Sequence, residues 1–324
     1  IDVFVYAVGD AYDGLAFRRG WTHGPLAWVL LPLALTALML AWDRWVRRRR
    51  APDVPPARAR PILYLSVLGV LTHPVLDWMN TYGIRLLMPF SDRWFYGDAL
   101  FIIDPWVWLA LGGPLFLAYS STRTAILGWA LLAAASSLLV LMGPVPVIAK
   151  ALWCAVIVAL IALRTRGRVD VTRAVRAGVV FVTAYTALNV MADVIATARV
   201  RRVAEAAGLA VERVMVAPLP ANPFTGEVVV ATPDAYHLGT FRWLAGAALE
   251  LDSNPIPVVP EGMGAIVAAA AEDEHARDYL TWSRFPFYRV TETTDGYTVR
   301  IGDARYPFEQ RGGGLAGITV HVPR

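Results

Sequence analysis

The sequence has little charge and almost no cysteine. Only 17% of its 324 residues are charged and 56% are hydrophobic, whereas soluble domains carry about 25% charged residues. Because Cys154 is the only cysteine, a disulfide within the chain and a cysteine-based zinc knuckle are both excluded. The net charge of +4 comes from arginines clustered at the ends of apolar runs. Since no basic face with interleaved aromatics is present, nucleic acid is not expected as a partner.

Long apolar runs take the place of the missing charge. A hydrocarbon core about 30 Å thick requires about 20 apolar residues in a helix. The sequence therefore predicts a polytopic α-helical membrane protein with about six transmembrane helices, surrounded by a lipid bilayer. The third span is short and contains Gly112, Gly113 and Pro114. The predicted spans are Pro25 to Trp42, Pro61 to Trp78, Trp106 to Tyr119, Ala125 to Met142, Val145 to Leu163 and Ala174 to Ala198.

Arginines predict how these spans are oriented. They lie in the first, third and fifth connections, which alternating spans place on one side, and the positive-inside rule makes that side cytoplasmic. We therefore predict that the C-terminal domain lies on the extracytoplasmic side. The arginines after the sixth span fall on the opposite side, which is a mild conflict. These are Arg199, Arg201 and Arg202, against Arg44, Arg47–Arg50, Arg58, Arg60, Arg123, Arg164, Arg166, Arg168, Arg173 and Arg176 in and around the connections.

The residue pattern changes after the sixth span. Residues 214–244 alternate in polarity, are rich in β-branched side chains and contain turn residues, which predicts strands. Ala265 to Leu280 is typical of a helix, and Asp295-Gly296 predicts a hairpin. The chain begins at Ile1, and we expect its natural N-terminus to lie upstream. We predict two domains, a transmembrane helical domain over 1–200 and a strand-rich α+β extramembrane domain over 201–324.

A candidate metal site lies at the external ends of the first two spans. His73 and Asp77 are four residues apart on a helix, so their side chains share a face. His23 precedes the first span at the same membrane depth. Two histidines and a carboxylate are the ligand types of a catalytic zinc, with Asp2 as a fourth ligand or general base. The alternatives are that the histidines make structural hydrogen bonds at the membrane interface and that Asp77 ends its helix.

The loop from Asn80 to Pro105 holds further candidates. Asp98 could be a catalytic or ligand-orienting carboxylate, whereas Asp104 before Pro105 is typical of a helix N-cap. Arg85 and Arg93 suit an anionic substrate group, although interfacial arginines also extend their charged ends toward water. The loop is rich in aromatic residues, as is usual in the headgroup region.

Two polar residues lie in the sixth span. Asn189 and Asp193 are four residues apart and share a helix face. We expect them to make interhelical hydrogen bonds, and a role in the site is the alternative.

Four segments of the chain resemble the YdjM-type family, inner-membrane-associated metal-dependent hydrolases described in some members as LexA-binding. The segments are RRGWTHGP at 18–25, the block from Leu71 to Trp108, NPFTGEVVV at 222–230 and DARY at 303–306. The resemblance implies a metal-dependent hydrolase in which His23, His73 and Asp77 match family positions. Arg18 stands where the family motif often has a histidine, and Gly24 replaces a serine. Family sequences usually have a further N-terminal helix, of which only the end, Ile1-Asp2, is present.

Three hypotheses for function follow. The first is a membrane-embedded, metal-dependent hydrolase, with zinc as the expected metal and an anionic substrate such as a lipid or phosphoester. The second is a non-enzymatic membrane scaffold or regulatory anchor, in which the polar loop is structural. The third is a transporter with Asn189 and Asp193 lining a path, which the absence of inverted repeats weakens.

Overall fold

The structure, a computed structural model, describes residues 11–167, 169–244, 246, 248–306 and 317–324. Along the chain its helices are α1 (Ala11–Phe17), α2 (Pro25–Trp42), α3 (Ala59–Trp78), α4 (Pro105–Tyr119), α5 (Arg123–Met142), α6 (Val147–Arg166), α7 (Val171–Ala206), α8 (Gly264–Ala271) and α9 (Glu274–Trp282). Its strands are β1 (Arg213–Leu219), β2 (Asn222–Ala231), β3 (Ala235–Arg242), β4 (Ala248–Leu251), β5 (Ile256–Pro257), β6 (Pro286–Glu292), β7 (Gly296–Asp303) and β8 (Ile318–Pro323).

Internal contacts divide the chain into two compact units. The first unit comprises Ile1–Gly97, Pro233–Tyr236 and Pro255–Arg324, and the second comprises Asp98–Thr232 and His237–Asn254. Each unit therefore combines long apolar helices from the first part of the chain with strands from the last part.

In the first unit, α2 and α3 are long and apolar enough to cross a bilayer. Polar residues link the two helices at mid-length, where the hydroxyls of Thr36 and Ser66 lie 3.3 Å apart. After α2 the chain continues through a π-helical turn, Asp43–Arg47, and a short helical segment, Arg48–Arg50. The Asp43 carboxylate pairs with Arg47 and accepts a hydrogen bond from the Ala57 backbone N–H at 3.0 Å. These contacts fold the arginine-rich connection between α2 and α3 back onto the end of α2.

An antiparallel sheet of order β6-β7-β8 forms the other part of the first unit. Residues 293–295 connect β6 to β7, so the hairpin predicted at Asp295-Gly296 is confirmed. The apolar side chains of α9 and the sheet form one core with Leu15 of α1 and Tyr82. Trp282 is the largest side chain at its centre and is fully buried.

Helices α4 to α7 belong to the second unit. Asp104 is the N-cap of α4, because its Oδ1 accepts hydrogen bonds from the backbone N–H groups of Trp106 and Val107 at 2.9 and 3.1 Å. The predicted capping role is therefore confirmed. The other carboxylate oxygen accepts a hydrogen bond from the Tyr185 hydroxyl at 2.9 Å, which joins α4 to α7.

Helix α7 is long enough to extend beyond the membrane. Its 36 residues span about 54 Å, against about 30 Å for a hydrocarbon core. Val200 and Ala204 of its last turns are fully buried in a core shared with β1 and β2, in the sheet of order β1-β2-β3-β4. Arg201 donates hydrogen bonds to the backbone carbonyls of Val211 and Glu212. Arg201 is therefore held by the backbone that follows α7, while the side of the membrane on which it lies stays a prediction.

The predicted fold class is confirmed. A helical region is followed by antiparallel sheets, and α2, α3, α5, α6 and α7 are long and apolar enough to span a membrane. The predicted third span corresponds to the shorter apolar helix α4. The single helix predicted from Ala265 to Leu280 consists of two helices, α8 and α9, because Asp273 caps a new helix by accepting a hydrogen bond from the Ala276 N–H at 3.1 Å.

The fold contains a fully buried ion pair, Asp303–Arg305, whose contribution to protein stability depends on pH. Burial by itself would raise the pKa of Asp303, but the charge and hydrogen bonds of Arg305 and the Ser283 hydroxyl outweigh it and lower the pKa from 3.8 to about 2. The native carboxylate thus binds protons less readily than the unfolded one. Its contribution to the free energy of unfolding is fully present above the unfolded pKa of 3.8 and is lost as the pH falls toward 2.

We predict that Asp303→Asn lowers the free energy of unfolding at neutral pH by about 3–5 kcal/mol, because Arg305 stays buried without its counter-charge. The stability of this variant should also change less with pH between 4 and 2 than that of the wild type. The measurement is urea unfolding of detergent-solubilised protein, followed by near-ultraviolet circular dichroism. Glu292→Gln is the matched control, because Glu292 forms an exposed ion pair with Arg324 in the same sheet. An equal loss in both variants would contradict the prediction.

Candidate metal centre

Three predicted ligands converge in the first unit. His23 lies just before α2, whereas His73 and Asp77 project from the last two turns of α3. The Asp77 Oδ2 atom lies 3.1 Å from His23 Nε2 and 3.5 Å from His73 Nε2. One ligand atom from each of the three residues lies within 4.8 Å of the others. The structure therefore brings together the two histidines and the carboxylate that the sequence singled out.

The donor set fits a small divalent ion. In a tetrahedral zinc site with bonds of about 2.0–2.1 Å, neighbouring ligand atoms are about 3.3–3.5 Å apart. The two separations that involve Asp77, 3.1 and 3.5 Å, bracket that value. The imidazole rings are tilted by 36°, with centroids 5.0 Å apart. The three ligand atoms, all within 4.8 Å of one another, are thus close enough to be candidates for one ion.

The two histidines have very different surroundings. The His23 side chain is 2% exposed, and its Nδ1 lies 2.7 Å from the Thr22 hydroxyl. The Trp28 indole N–H donates a hydrogen bond to the His23 backbone carbonyl at 2.7 Å. The Trp28 bond holds the backbone of His23, and the Thr22 contact at Nδ1 leaves Nε2 facing Asp77. In contrast, the His73 side chain is 60% exposed, so the site opens on the His73 side.

Arg19 controls the orientation of Asp77. One guanidinium nitrogen lies 3.1 Å from Asp77 Oδ1, and the other donates to Asn80 Oδ1 at 2.8 Å. Arg19 has a positive φ of 52°, an uncommon conformation for a residue other than glycine. The arginine occupies one carboxylate oxygen and leaves Oδ2 facing both histidines. Asp77 is therefore suited to bind a metal through a single oxygen.

The turn after α3 is braced from the C-terminal sheet. Asn80 is buried, and its Oδ1 also accepts a hydrogen bond from the Tyr82 N–H at 2.9 Å. Arg305 donates to the backbone carbonyl of Thr81 at 2.6 Å, while its guanidinium pairs with Asp303 and lies 4.6 Å from the centre of the Trp282 ring. Arg305, more than 220 positions after Thr81 in the sequence, thus holds the turn that positions Arg19.

The two arginines predicted to bind substrate differ in their contacts. Arg85 is 5% exposed, and its guanidinium donates to the backbone carbonyls of Ala16 and Arg18. Arg93 is exposed, and its guanidinium lies 5.3 Å from the centre of the Phe95 ring. Arg85 thus has a structural role in holding the chain before α2, whereas Arg93 is accessible to solvent. Binding of an anionic substrate by either residue stays a prediction.

The remaining predicted site residues are placed elsewhere or not described. Asp2 lies outside the described residues. Asp98 belongs to the second unit, where it lines a small cavity of about 30 Å³ together with Asn189, Asp193 and Trp243. The catalytic roles predicted for Asp2 and Asp98 stay predictions.

Sequence reasoning included Arg19 and Thr22 in the segment that carries His23, but it assigned no role to Arg19, Thr22 or Asn80. All three lie within four residues of a predicted ligand. Spacing alone does not show which side chain turns toward Asp77.

Comparison with known proteins supports a membrane identity for the N-terminal part of the chain. Residues 1–147 match the family model of the YdjM inner membrane protein, which confirms the family resemblance over these residues. The match includes α2, α3 and the three converging ligands. No curated protein and no solved structure matches the chain.

We predict that Asn80→Ala weakens metal binding about 10–100-fold, as is usual when a residue that orients a ligand is lost. The substitution changes no charge, so a loss would report the orientation of Arg19 and Asp77. The measurement is competition of the purified protein with a zinc-sensitive chelating dye. Asn254→Ala, at an exposed position, is the control. If Asn80→Ala lowers the melting temperature but leaves the zinc affinity unchanged, the positioning role is wrong.

Proposed function

We propose that this chain, whose first 147 residues match the YdjM inner membrane protein family, is a membrane-embedded, metal-dependent hydrolase. A divalent ion, with zinc as the best-fitting choice, would be held by His23, His73 and Asp77. The observation that carries the proposal is the pair of separations, 3.1 and 3.5 Å, between one oxygen of Asp77 and the two imidazole nitrogens. Two histidines with one carboxylate are a usual ligand set for hydrolytic zinc.

The surrounding residues have distinct tasks in this proposal. A zinc ion bound here would lower the pKa of a bound water to about 7 and so supply a nucleophile at neutral pH. Thr22 holds the His23 ring, and Arg19 keeps the second oxygen of Asp77 away from the ion. The exposed side of His73 provides the approach for the substrate.

An ester or phosphoester with negative charge is the proposed substrate class, and a lipid phosphoester is one example. Arg93 is the exposed cation of the neighbouring loop and would attract such a group. Asp2 would serve as a fourth ligand or general base. The proposed location is the bacterial inner membrane, with the metal centre and the C-terminal region on the extracytoplasmic side.

We predict that the purified full-length protein binds about one zinc ion per chain, and that His73→Ala and Asp77→Ala each lose most of it, because three protein ligands are the minimum for a stable catalytic site. Metal content would be measured by mass spectrometry after dialysis. His321→Ala is the matched control, since His321 is another exposed histidine beside a carboxylate, Asp295, at 3.5 Å. Unchanged metal content in both ligand variants would refute the metal site.

We also predict that the zinc-loaded protein hydrolyses at least one member of a panel of carboxylic esters, phosphomonoesters and phosphodiesters. Chelation should abolish the activity, and added zinc should restore it. His73→Ala should lose at least about 10²-fold in kcat/KM, because the bound water would no longer be activated. Zinc binding without hydrolysis of any ester would favour a structural metal in a scaffold protein.

A further inference from the structure

The loop next to the metal centre carries an apolar tip, which we define as residues 86–90 (Leu-Leu-Met-Pro-Phe). Leu87 is 42% exposed and Phe90 is 75% exposed. The tip is a closed turn, because the Phe90 and Ser91 N–H groups donate to the Leu87 carbonyl at 2.8 and 3.1 Å. Two large apolar side chains are thus presented outward by an ordered turn.

The base of this loop is firmly held. Ile84 and Phe95 form an antiparallel bridge with backbone hydrogen bonds of 2.9 and 2.8 Å, and Ile84 is fully buried. The Arg85 N–H donates to the Arg19 carbonyl at 2.8 Å, and the Arg85 guanidinium lies 5.1 Å from the centre of the Trp94 ring. The tip therefore projects from a rigid base, so its exposure follows from the fold.

The tip lies against the start of a membrane span and beside a metal ligand. A Cβ atom on Gly24 would lie 1.9 Å from the Met88 carbonyl oxygen, so the tip's backbone touches the residue between His23 and α2. From Leu26 onward, α2 presents exposed apolar side chains, including Val29 at 61% and Leu30 at 62%. The backbone of the tip thus adjoins the start of α2, a candidate membrane span with an exposed apolar surface.

From this contact we infer that the apolar tip inserts into the lipid leaflet beside the metal centre. Apolar side chains at the edge of a span are stabilised when they enter the acyl region. Asp92 and Arg93, both exposed, follow at once and limit insertion to the headgroup boundary, because charges at greater depth are costly. The partner of this surface is therefore the bilayer itself.

A second consequence concerns the substrate class, and it depends on the proposed hydrolase activity. Because the inserted tip contacts Gly24, next to His23, the metal centre lies at the level where the ester groups of lipids are found. The substrate class is accordingly an amphiphilic lipid ester that reaches the site from the leaflet. The tip would not help a soluble ester with the same headgroup to reach the site.

Spin-label depth measurements test the insertion. In a Cys154→Ser background, Leu87→Cys and Phe90→Cys report the tip, Asp92→Cys is the matched control in the same loop, and Leu131→Cys in α5 is the lipid-facing reference. After reconstitution in vesicles of phosphatidylethanolamine and phosphatidylglycerol, accessibility to oxygen and to a water-soluble nickel complex is measured. The oxygen-to-nickel ratio at the tip should shift from the value at position 92 toward that at position 131. Equal ratios at positions 90 and 92 would overturn the insertion.

Hydrolysis tests the substrate class separately. Phe90→Asp should lower turnover of a long-chain lipid ester about tenfold or more and leave a short-chain soluble ester of the same headgroup unaffected. Asp92→Asn should leave both unchanged. An equal loss on the two esters would overturn the lipid assignment. If the wild type hydrolyses no ester, the proposed hydrolase and the substrate class both fail, while the spin-label depths still decide whether the tip inserts.

Discussion

The arrangement of the first unit depends on how the Asp77 carboxylate is shared. A partly buried carboxylate at the end of a membrane helix must be compensated by charge and hydrogen bonds. Arg19 binds one oxygen at 3.1 Å, and the two histidines lie 3.1 and 3.5 Å from the other. Because the arginine occupies Oδ1, the other oxygen is left to face both imidazoles. The candidate metal centre thus depends on the different partners of the two Asp77 oxygens, Arg19 for Oδ1 and the histidines for Oδ2.

The C-terminal sheet explains how that geometry is held in place. A turn of polar residues after a membrane helix has few contacts of its own, so its backbone groups need partners. The pair Asp303–Arg305 supplies one, because Arg305 reaches the Thr81 carbonyl. The aromatic core around Trp282 includes Tyr82 and fixes the next residue. Strands from the end of the chain thus stabilise a site made by its beginning.

Sequence patterns were sufficient wherever the deciding interaction is local. Membrane spans follow from uninterrupted apolar runs, since each helix satisfies its own backbone hydrogen bonds. The N-cap at Asp104 and the hairpin between β6 and β7 depend on residues within a few positions of one another. His73 and Asp77 share a face because helix geometry places residues four apart together. The approach of His23 was also expected, from its equal depth in the predicted topology.

Contacts between distant segments required the tertiary structure. The sequence by itself determined the helical membrane region, the strand-rich end of the chain and three candidate ligands. Only the tertiary structure decided that Arg19 holds Asp77, that Arg305 braces Thr81, and that Asp98 belongs to a cavity with Asn189. The physical reason is that hydrophobic periodicity specifies which face of an element is buried, whereas the partner of a buried charge is specified by packing between elements far apart in sequence.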